Sequence, residues 1–374
     1  MITTMRKLIL AASLLGSGLA NAALPLDKLT LPDGFSISVY ADNVKSARQM
    51  ALGDKGTVFV GSRSAGLVHA VIDSDGDGKA DKVLKIASDL VMPSGLTFKD
   101  GDLYVSEVSQ IRKFSNIESN LASPGKGEVI INDLPGDRHH GWKNIDFGPD
   151  GQLYVPVGTP CNVCITKGGE EFDDERYDSI LKYDLASGQR TWVARGVRNS
   201  VGFDWHPKTQ ELWFSDNGRD WMGDDLPPCE INRVSKAGQH FGYPYIHGGD
   251  IPDPDFGEGK KPEDYTPPVA RLGAHVAPLG IHFYQGEQFP AEYQNKLFVA
   301  EHGSWNRSSK VGYKVMMATT TETGVEKYET FIDGWLQPGD EVWGRPVAFL
   351  PMPDGSLLIS DDFADAIYRV TYQK

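Results

Sequence analysis

The chain has 374 residues and a mass of about 41 kDa, with 51 Asp and Glu against 37 Lys and Arg. Its net charge of −14 argues against nucleic acid or an anionic membrane as partner, since both need a surplus of basic side chains. Apolar residues at 40% and charged residues at 24% exclude a disordered chain. This length suits two domains or one closed all-β unit.

Residues 1–22 read as an export signal. Arg6 and Lys7 form a short positive region, Leu8 to Leu19 an apolar stretch, and Ala20-Asn21-Ala22 a small-residue cleavage site. No later segment offers the roughly 18 consecutive apolar residues of a membrane span, and no Cys follows the cleavage site to carry a lipid. The expected destination is the bacterial periplasm, with residues 23–374 as the mature domain.

From Met50 onward one unit recurs: an apolar strand, a Gly/Asp turn, a second strand, then a later one. It begins at Met50, Gly95, Ile145, Gly202, Gly280 and Val347. Six units recurring roughly every 45 to 80 residues, with no long amphipathic helical pattern, predict an all-β, six-bladed β-propeller. Phe35 to Tyr40 alternates with period 2 and is the expected extra strand that closes the ring with the sixth blade. A large sandwich is the competing fold, but it would not repeat one unit six times.

Three cysteines enter an oxidising compartment. Cys161 and Cys164 form a C-x-x-C, but Ile165 stands where haem attachment needs His, and no second ligand pair is spaced for zinc. One disulfide and one leftover thiol are expected, with Cys164 and Cys229 both open as partners of Cys161.

Chemistry-bearing residues cluster just before the strand units. His139-His140 precedes the third, Arg198-Asn199 the fourth, His275 the fifth and Arg345 the sixth. Equivalent repeat positions converge on one end of the central channel, so these residues predict a site there. Two arginines aimed at one pocket suit an anion, because guanidinium pairs with carboxylate or phosphate in bidentate fashion. The acidic, turn-rich run from Ser215 to Glu230 could present oxygens to calcium. Asp73 to Asp81 matches several positions of a calcium loop, but Leu84 replaces its final Glu and no helices flank it. It reads as a tight acidic connection inside the first blade. Nucleophile-elbow, zinc-protease, P-loop and dinucleotide motifs are absent from the sequence.

Several runs together resemble the sorbosone dehydrogenase family, which is akin to soluble quinoprotein glucose dehydrogenase. They include Arg138-His-His-Gly-Trp142, Thr159-Pro-Cys-Asn-Val-Cys164, Gly196-Val-Arg-Asn199, Trp213 to Asp220, Glu301 to Arg307 and Gly344-Arg-Pro-Val347. The resemblance spans essentially the whole mature chain. It implies pyrroloquinoline quinone (PQQ) over the channel mouth, with Ca2+ polarising it. His140 then matches the base that takes the substrate proton, and Arg198 and Asn199 the pair beside the cofactor. The carbonyls of Gly218 and Arg219 match the calcium ligands. His275 falls where relatives use Thr as a cofactor contact, Arg307 near a Lys that meets a cofactor carboxylate, and Arg345 on a carboxylate-binding Arg. Trp343 replaces that arginine's usual companion. Glu230 matches a ligand of a separate structural calcium, beside Cys229 where Asp is usual.

The resulting expectation is a periplasmic PQQ-dependent dehydrogenase oxidising a sugar, sugar aldehyde or alcohol and passing electrons to an unidentified acceptor. The alternatives are a calcium-dependent propeller lactonase and a non-catalytic ligand-binding propeller. A lactonase would hold its calcium with acidic and amide side chains in the channel, where this chain places mainly Arg and His.

Overall fold

The computed structural model describes residues 23–167, 170–171 and 176–373. The proposed signal segment lies outside them. The described residues form six blade sheets, antiparallel apart from one edge strand, arranged as a β-propeller, with three two-stranded hairpins, four short 3₁₀ turns and no α-helix among them. Blade one is built from Ala47–Leu52, Val58–Ser62, Val68–Ile72 and Lys82–Ala87. Blade two runs Gly95–Lys99, Asp102–Ser106, Ile111–Phe114 and Glu128–Ile131. The innermost strands of blades three to six are Asp146–Phe147, Phe203–Trp205, Pro278–Phe283 and Pro346–Pro351. Every predicted unit became a blade.

The ring closes as the period-2 strand requires. Phe35–Ala41 pairs antiparallel with Ala366–Tyr372, setting Phe35 opposite Tyr372 and Ile37 opposite Val370, so the N-terminal strand forms the outer edge of blade six.

No blade could bury both faces alone, and the core shows how the ring solves this. It divides into inter-blade clusters. Phe59 and Ala70 of blade one meet Leu96 and Leu103 of blade two, and Trp213 and Ile231 of blade four meet Phe283 and Val299 of blade five. Phe298 and Val315 of blade five likewise meet Leu357 and Tyr368 of blade six. Second strands such as Val58–Ser62, Leu153–Val157 and Leu297–Glu301 are therefore buried at every residue. Truncating a fully buried ring such as Phe59 would cost roughly 3–5 kcal/mol. Near the axis the blades pack so closely that a Cβ on Gly280 would lie 2.6 Å from the Val347 carbonyl oxygen.

The longest insertion lies inside blade four. Between Pro228–Arg233 and Ala270–Ala274 the chain leaves the sheet, lends Gln239–His240 as a parallel edge strand to blade three, and makes a small hairpin, Ile246–His247 with Ile251–Pro252. Asp73 to Asp81 is the hairpin connection of blade one. Its carboxylates accept the loop's own backbone N–H groups, as at Ser74, Gly76 and Gly78.

Candidate active site at the channel mouth

The loops leading into the blades enclose a cavity of about 640 Å³. His140, Arg198, Asn199, His275 and Arg345 all line it, so the predicted convergence of blade-leading positions holds. The lining holds five arginines (48, 63, 138, 198, 345) and four histidines (139, 140, 275, 302). Asp220 is the one carboxylate among the described lining residues. A strongly acidic protein thus concentrates positive charge at one spot.

His140 is buried, with a left-handed backbone (φ 50°). A Cβ at position 158 would stand 2.7 Å from the His140 Cβ, so Gly158 is needed for this packing. The His140 Nδ1 lies 2.9 Å from the Thr159 carbonyl oxygen. A carbonyl can only accept, so Nδ1 carries the hydrogen and Nε2 of the neutral ring is the free acceptor. Burial, then the Arg198 charge and the His139 ring, hold the His140 pKa well below the ordinary value. The imidazole is therefore neutral at pH 7.

Asp216 places the next pair by accepting the backbone N–H groups of Arg198 and Asn199 at 2.9 and 2.7 Å. Burial raises the Asp216 carboxyl to about 6. The Arg198 guanidinium donates to the Asn162 and Asn217 carbonyls and to the Asn162 side chain. Asn162 sits inside the Cys161–Cys164 disulfide, which settles the pairing; Cys229 is free and buried.

On the facing wall, Arg345 donates from Nε and Nη2 to the carbonyls of His302 and Gly303 at 2.9 and 2.8 Å. Two further arginines join it. Arg63 lies over the Trp142 ring, 4.0 Å from its centroid. Arg48 is 2% exposed, 3.5 Å from Asp362, and its Nε and Nη1 have no hydrogen-bond partner among the described residues. Desolvation lowers the Arg48 pKa to about 10, which leaves it charged at neutral pH. The His302 Nε2–H donates to the Asp362 carboxylate at 2.7 Å, and burial pushes the His302 pKa down to about 4.

Sequence reasoning missed Arg48, Arg63, His302 and Asn162. Arg48 stands inside the first strand of blade one, Ala47–Leu52, whereas Arg345 directly precedes the first strand of blade six, so Arg48 escapes the blade-leading rule. Arg63 follows a strand and obeys no such rule.

The calcium-related positions fall into separate places. Gly218 lines the cavity. The Arg219 side chain pairs instead with Asp253 and Asp255, at 2.5 and 3.2 Å, so its charge is spent within the blade-four insertion. The Asn199 Oδ1 is buried without a hydrogen-bond partner among the described residues. Oxygen donors of this kind fit a hard cation. Glu230 accepts from Asn232 and the Gly248 N–H, and burial lifts it to about 7. Asp224 and Asp225 face Arg307, so the acidic residues of the 215–230 run do not gather around one point. Arg307 itself does not line the cavity, contrary to its expected place at a cofactor carboxylate. It is held by the Asp224 carbonyl, by Asp225 and by Ser309.

Fold and site together define a six-bladed propeller with a cationic, histidine-lined cavity on its axis. Residues 22–370 match the family model described as domain of unknown function DUF7133, and the chain belongs to that family. An uncharacterized protein of Borreliella burgdorferi is 37% identical over 363 residues, covering 92% of this chain and 91% of its own. Among solved structures, a calcium structure of a Trichoderma reesei family AA12 carbohydrate-active enzyme shares the fold at a TM-score of 0.80. Its identity is 18%, over 95% of this chain and 100% of its own. The PQQ domain of pyranose dehydrogenase from Coprinopsis cinerea gives 0.74 at 16% identity, over 92% and 97%. PQQ-bound aldose sugar dehydrogenase from Streptomyces coelicolor gives 0.64 at 19% identity, over 92% and 100%. No helix among the described residues is long and apolar enough to cross a membrane.

Proposed function

We propose that the protein is a PQQ-dependent dehydrogenase of sugars, an aldose or a sugar aldehyde such as sorbosone, exported to the periplasm. The observation that carries this reading is the arginine cluster. Arg48, with donors left over in a buried position, faces the cavity together with Arg63 and Arg345. Asp362 balances only one of these three charges, and the buried Arg48 Nη1 keeps a donor without a hydrogen-bond partner among the described residues, so a further anion would complete the cluster. A rigid tricarboxylate fits that demand, and its size suits a 640 Å³ cavity. The names of the PQQ-binding neighbours agree with it.

When bound, the quinone supplies the two-electron acceptor. The rest falls to the chain. Arg48, Arg63 and Arg345 would bind the carboxylates, while Asn199 and His275 would flank the ring. Gly218 and the Arg219 carbonyl would hold the calcium, aided by the Asn199 Oδ1. His140 would take the substrate hydroxyl proton at Nε2, its tautomer fixed by Thr159, while Arg198 would stabilise developing negative charge beside it. We assign Arg307 to bracing the 218–225 loop and leave Glu230 a structural role. The lactonase alternative is disfavoured by a lining with five arginines and one carboxylate.

The test is reconstitution. Purified apoprotein, given PQQ and Ca2+, should reduce an artificial dye with at least one aldose or sugar aldehyde. Wild-type protein that shows no saturable PQQ binding would remove the proposal.

A further inference from the structure

Most tryptophans of the chain are at least partly buried; two are not. Trp221 is 67% exposed and Trp305 69% exposed. They touch each other, with ring centroids 5.6 Å apart and planes at 85°. Trp305 lines the cavity and Trp221 stands outward of it, so the pair forms an L-shaped apolar corner at the mouth.

The corner is built rather than accidental. Trp221 has φ 71°, a strained conformation for a bulky residue. Its backbone N–H donates to the Asn306 Oδ1 at 2.9 Å, tying the two tryptophan loops together. The Ser308 N–H donates to Asp224 at 3.0 Å, and Arg307 adds bonds to the Asp224 carbonyl and to Asp225. On the third side, His275 Nε2 bonds the Gly223 carbonyl at 2.8 Å. Two large indoles are thus held in water by a preformed scaffold, which limits the ordering cost of binding.

We infer that Trp221 and Trp305 form a saccharide platform, which receives the ring next to the one being oxidised and so selects neutral oligosaccharides. The inference rests on the sugar-oxidising reading of the cavity and names its substrate class. A pyranose presents an apolar C–H face and a polar rim. The corner offers an indole face for the first, and carboxylates and amides beside it for the second. Beside the tryptophans Asp225 pairs with Arg307 and Asp220 with Arg198 and His275, so carboxylates and cations balance there and the preferred ring is uncharged. Continuity with the cavity places a second ring here once the first has entered.

Binding is read apart from turnover. Holoenzyme reconstituted with PQQ and Ca2+ is titrated with glucose, maltose, maltotriose, cellobiose and cellotriose by tryptophan fluorescence and calorimetry, and PQQ affinity is measured separately by absorbance. The expected result is tighter binding of at least one glucan series as length increases. Trp221→Ala and Trp305→Ala should weaken its trisaccharide at least about tenfold, as truncation of an aromatic anchor does. They should weaken glucose by a smaller factor, with Trp221→Tyr recovering most of the loss. Both side chains lie largely in solvent, so truncation leaves the core intact. If trisaccharides bind no better than glucose, or bind all variants equally, the platform assignment fails while PQQ binding still stands. A corner serving a redox-protein partner would give that same negative result. Loss of PQQ binding in wild type, by contrast, overturns the sugar-oxidising reading itself.

Discussion

The side-chain oxygen of Asn162 accepts a guanidinium N–H of Arg198 at 2.8 Å, and the Asn162 backbone carbonyl accepts another at the same distance. One residue of the disulfide loop thereby fixes the direction of the cation nearest His140. The same side chain takes the Asp220 N–H at 2.8 Å and donates to the Asp220 carbonyl at 3.0 Å, so the loop ties Arg198 and Asp220 together.

Asn162→Ala should therefore loosen Arg198 without touching the core. A hydrogen bond to a charged group contributes roughly 1.5–3 kcal/mol, which sets the expected loss in urea unfolding. PQQ affinity should fall about tenfold in an absorbance titration. Replacing both Cys161 and Cys164 by Ser should weaken PQQ binding in the same direction, because it frees the backbone that carries Asn162. Unaltered PQQ affinity in both variants would show that Arg198 is positioned by other contacts.

Arg48 invites a different experiment. It is buried with Nε in an ion pair with Asp362 at 3.5 Å and Nη1 without a hydrogen-bond partner among the described residues, so it keeps a donor for a second anion. In Arg48→Met, the rise in Tm on adding PQQ should shrink sharply, since stabilisation by a ligand follows its affinity. A loss of ten- to hundredfold in affinity, roughly 1.4–2.8 kcal/mol, is expected. Differential scanning fluorimetry across a PQQ titration reads both quantities. An undiminished Tm shift would remove Arg48 from the cofactor site.

Much of this was legible in the sequence because the repeat leaves two independent marks. Apolar strands flanking Gly/Asp turns disclose each blade, and His140, Arg198, His275 and Arg345 each fall shortly before the innermost strand of one, in the same phase of the repeat order though not at one fixed spacing. Phase fixes where a side chain starts but not which way it turns. Arg307 shows the difference: its place in the Glu301 to Arg307 run suggested a cofactor contact, yet Asp224, Asp225 and Ser309 capture its guanidinium. Asn162 and Arg63 stayed hidden for a related reason, since both lie on loops whose course is set by long-range packing. The insertion within blade four, which supplies Asp253 and Asp255 to Arg219, has no repeat signal at all.

The pH dependence of catalysis follows from His140. Its pKa lies well below the ordinary value, with burial the largest cause and the Arg198 charge the next. As a base it must be neutral, so kcat/KM of the free enzyme should stay flat from pH 8 down past 6.5 and fall only in more acid solution. His140→Gln should bind PQQ and lose about 10²–10⁴-fold in kcat. An acid limb centred at 6.5 or above would contradict the assignment, and near-normal turnover of the variant would move it to His139.

Glu301 yields a prediction about stability alone. It lies on the second strand of blade five and is 2% exposed. Its Oε1 accepts the Tyr328 hydroxyl at 2.9 Å, while Oε2 has no partner among the described residues. Burial raises its carboxyl from 4.5 to about 7, against a smaller opposing pull from Lys314. The folded chain therefore holds a proton that the unfolded chain releases. That contribution is complete below about pH 4.5 and is lost as pH rises through 7. Glu301→Gln keeps the acceptor for Tyr328 and cannot ionise. Its stability relative to wild type should thus be higher at pH 8 than at pH 5, by roughly 1–3 kcal/mol. Urea unfolding of both proteins at the two pH values measures the change directly, and any constant cost of the amide cancels in the comparison. A difference that stays level, or narrows toward pH 8, would mean that Glu301 is ionised in the fold and stabilised by Lys314.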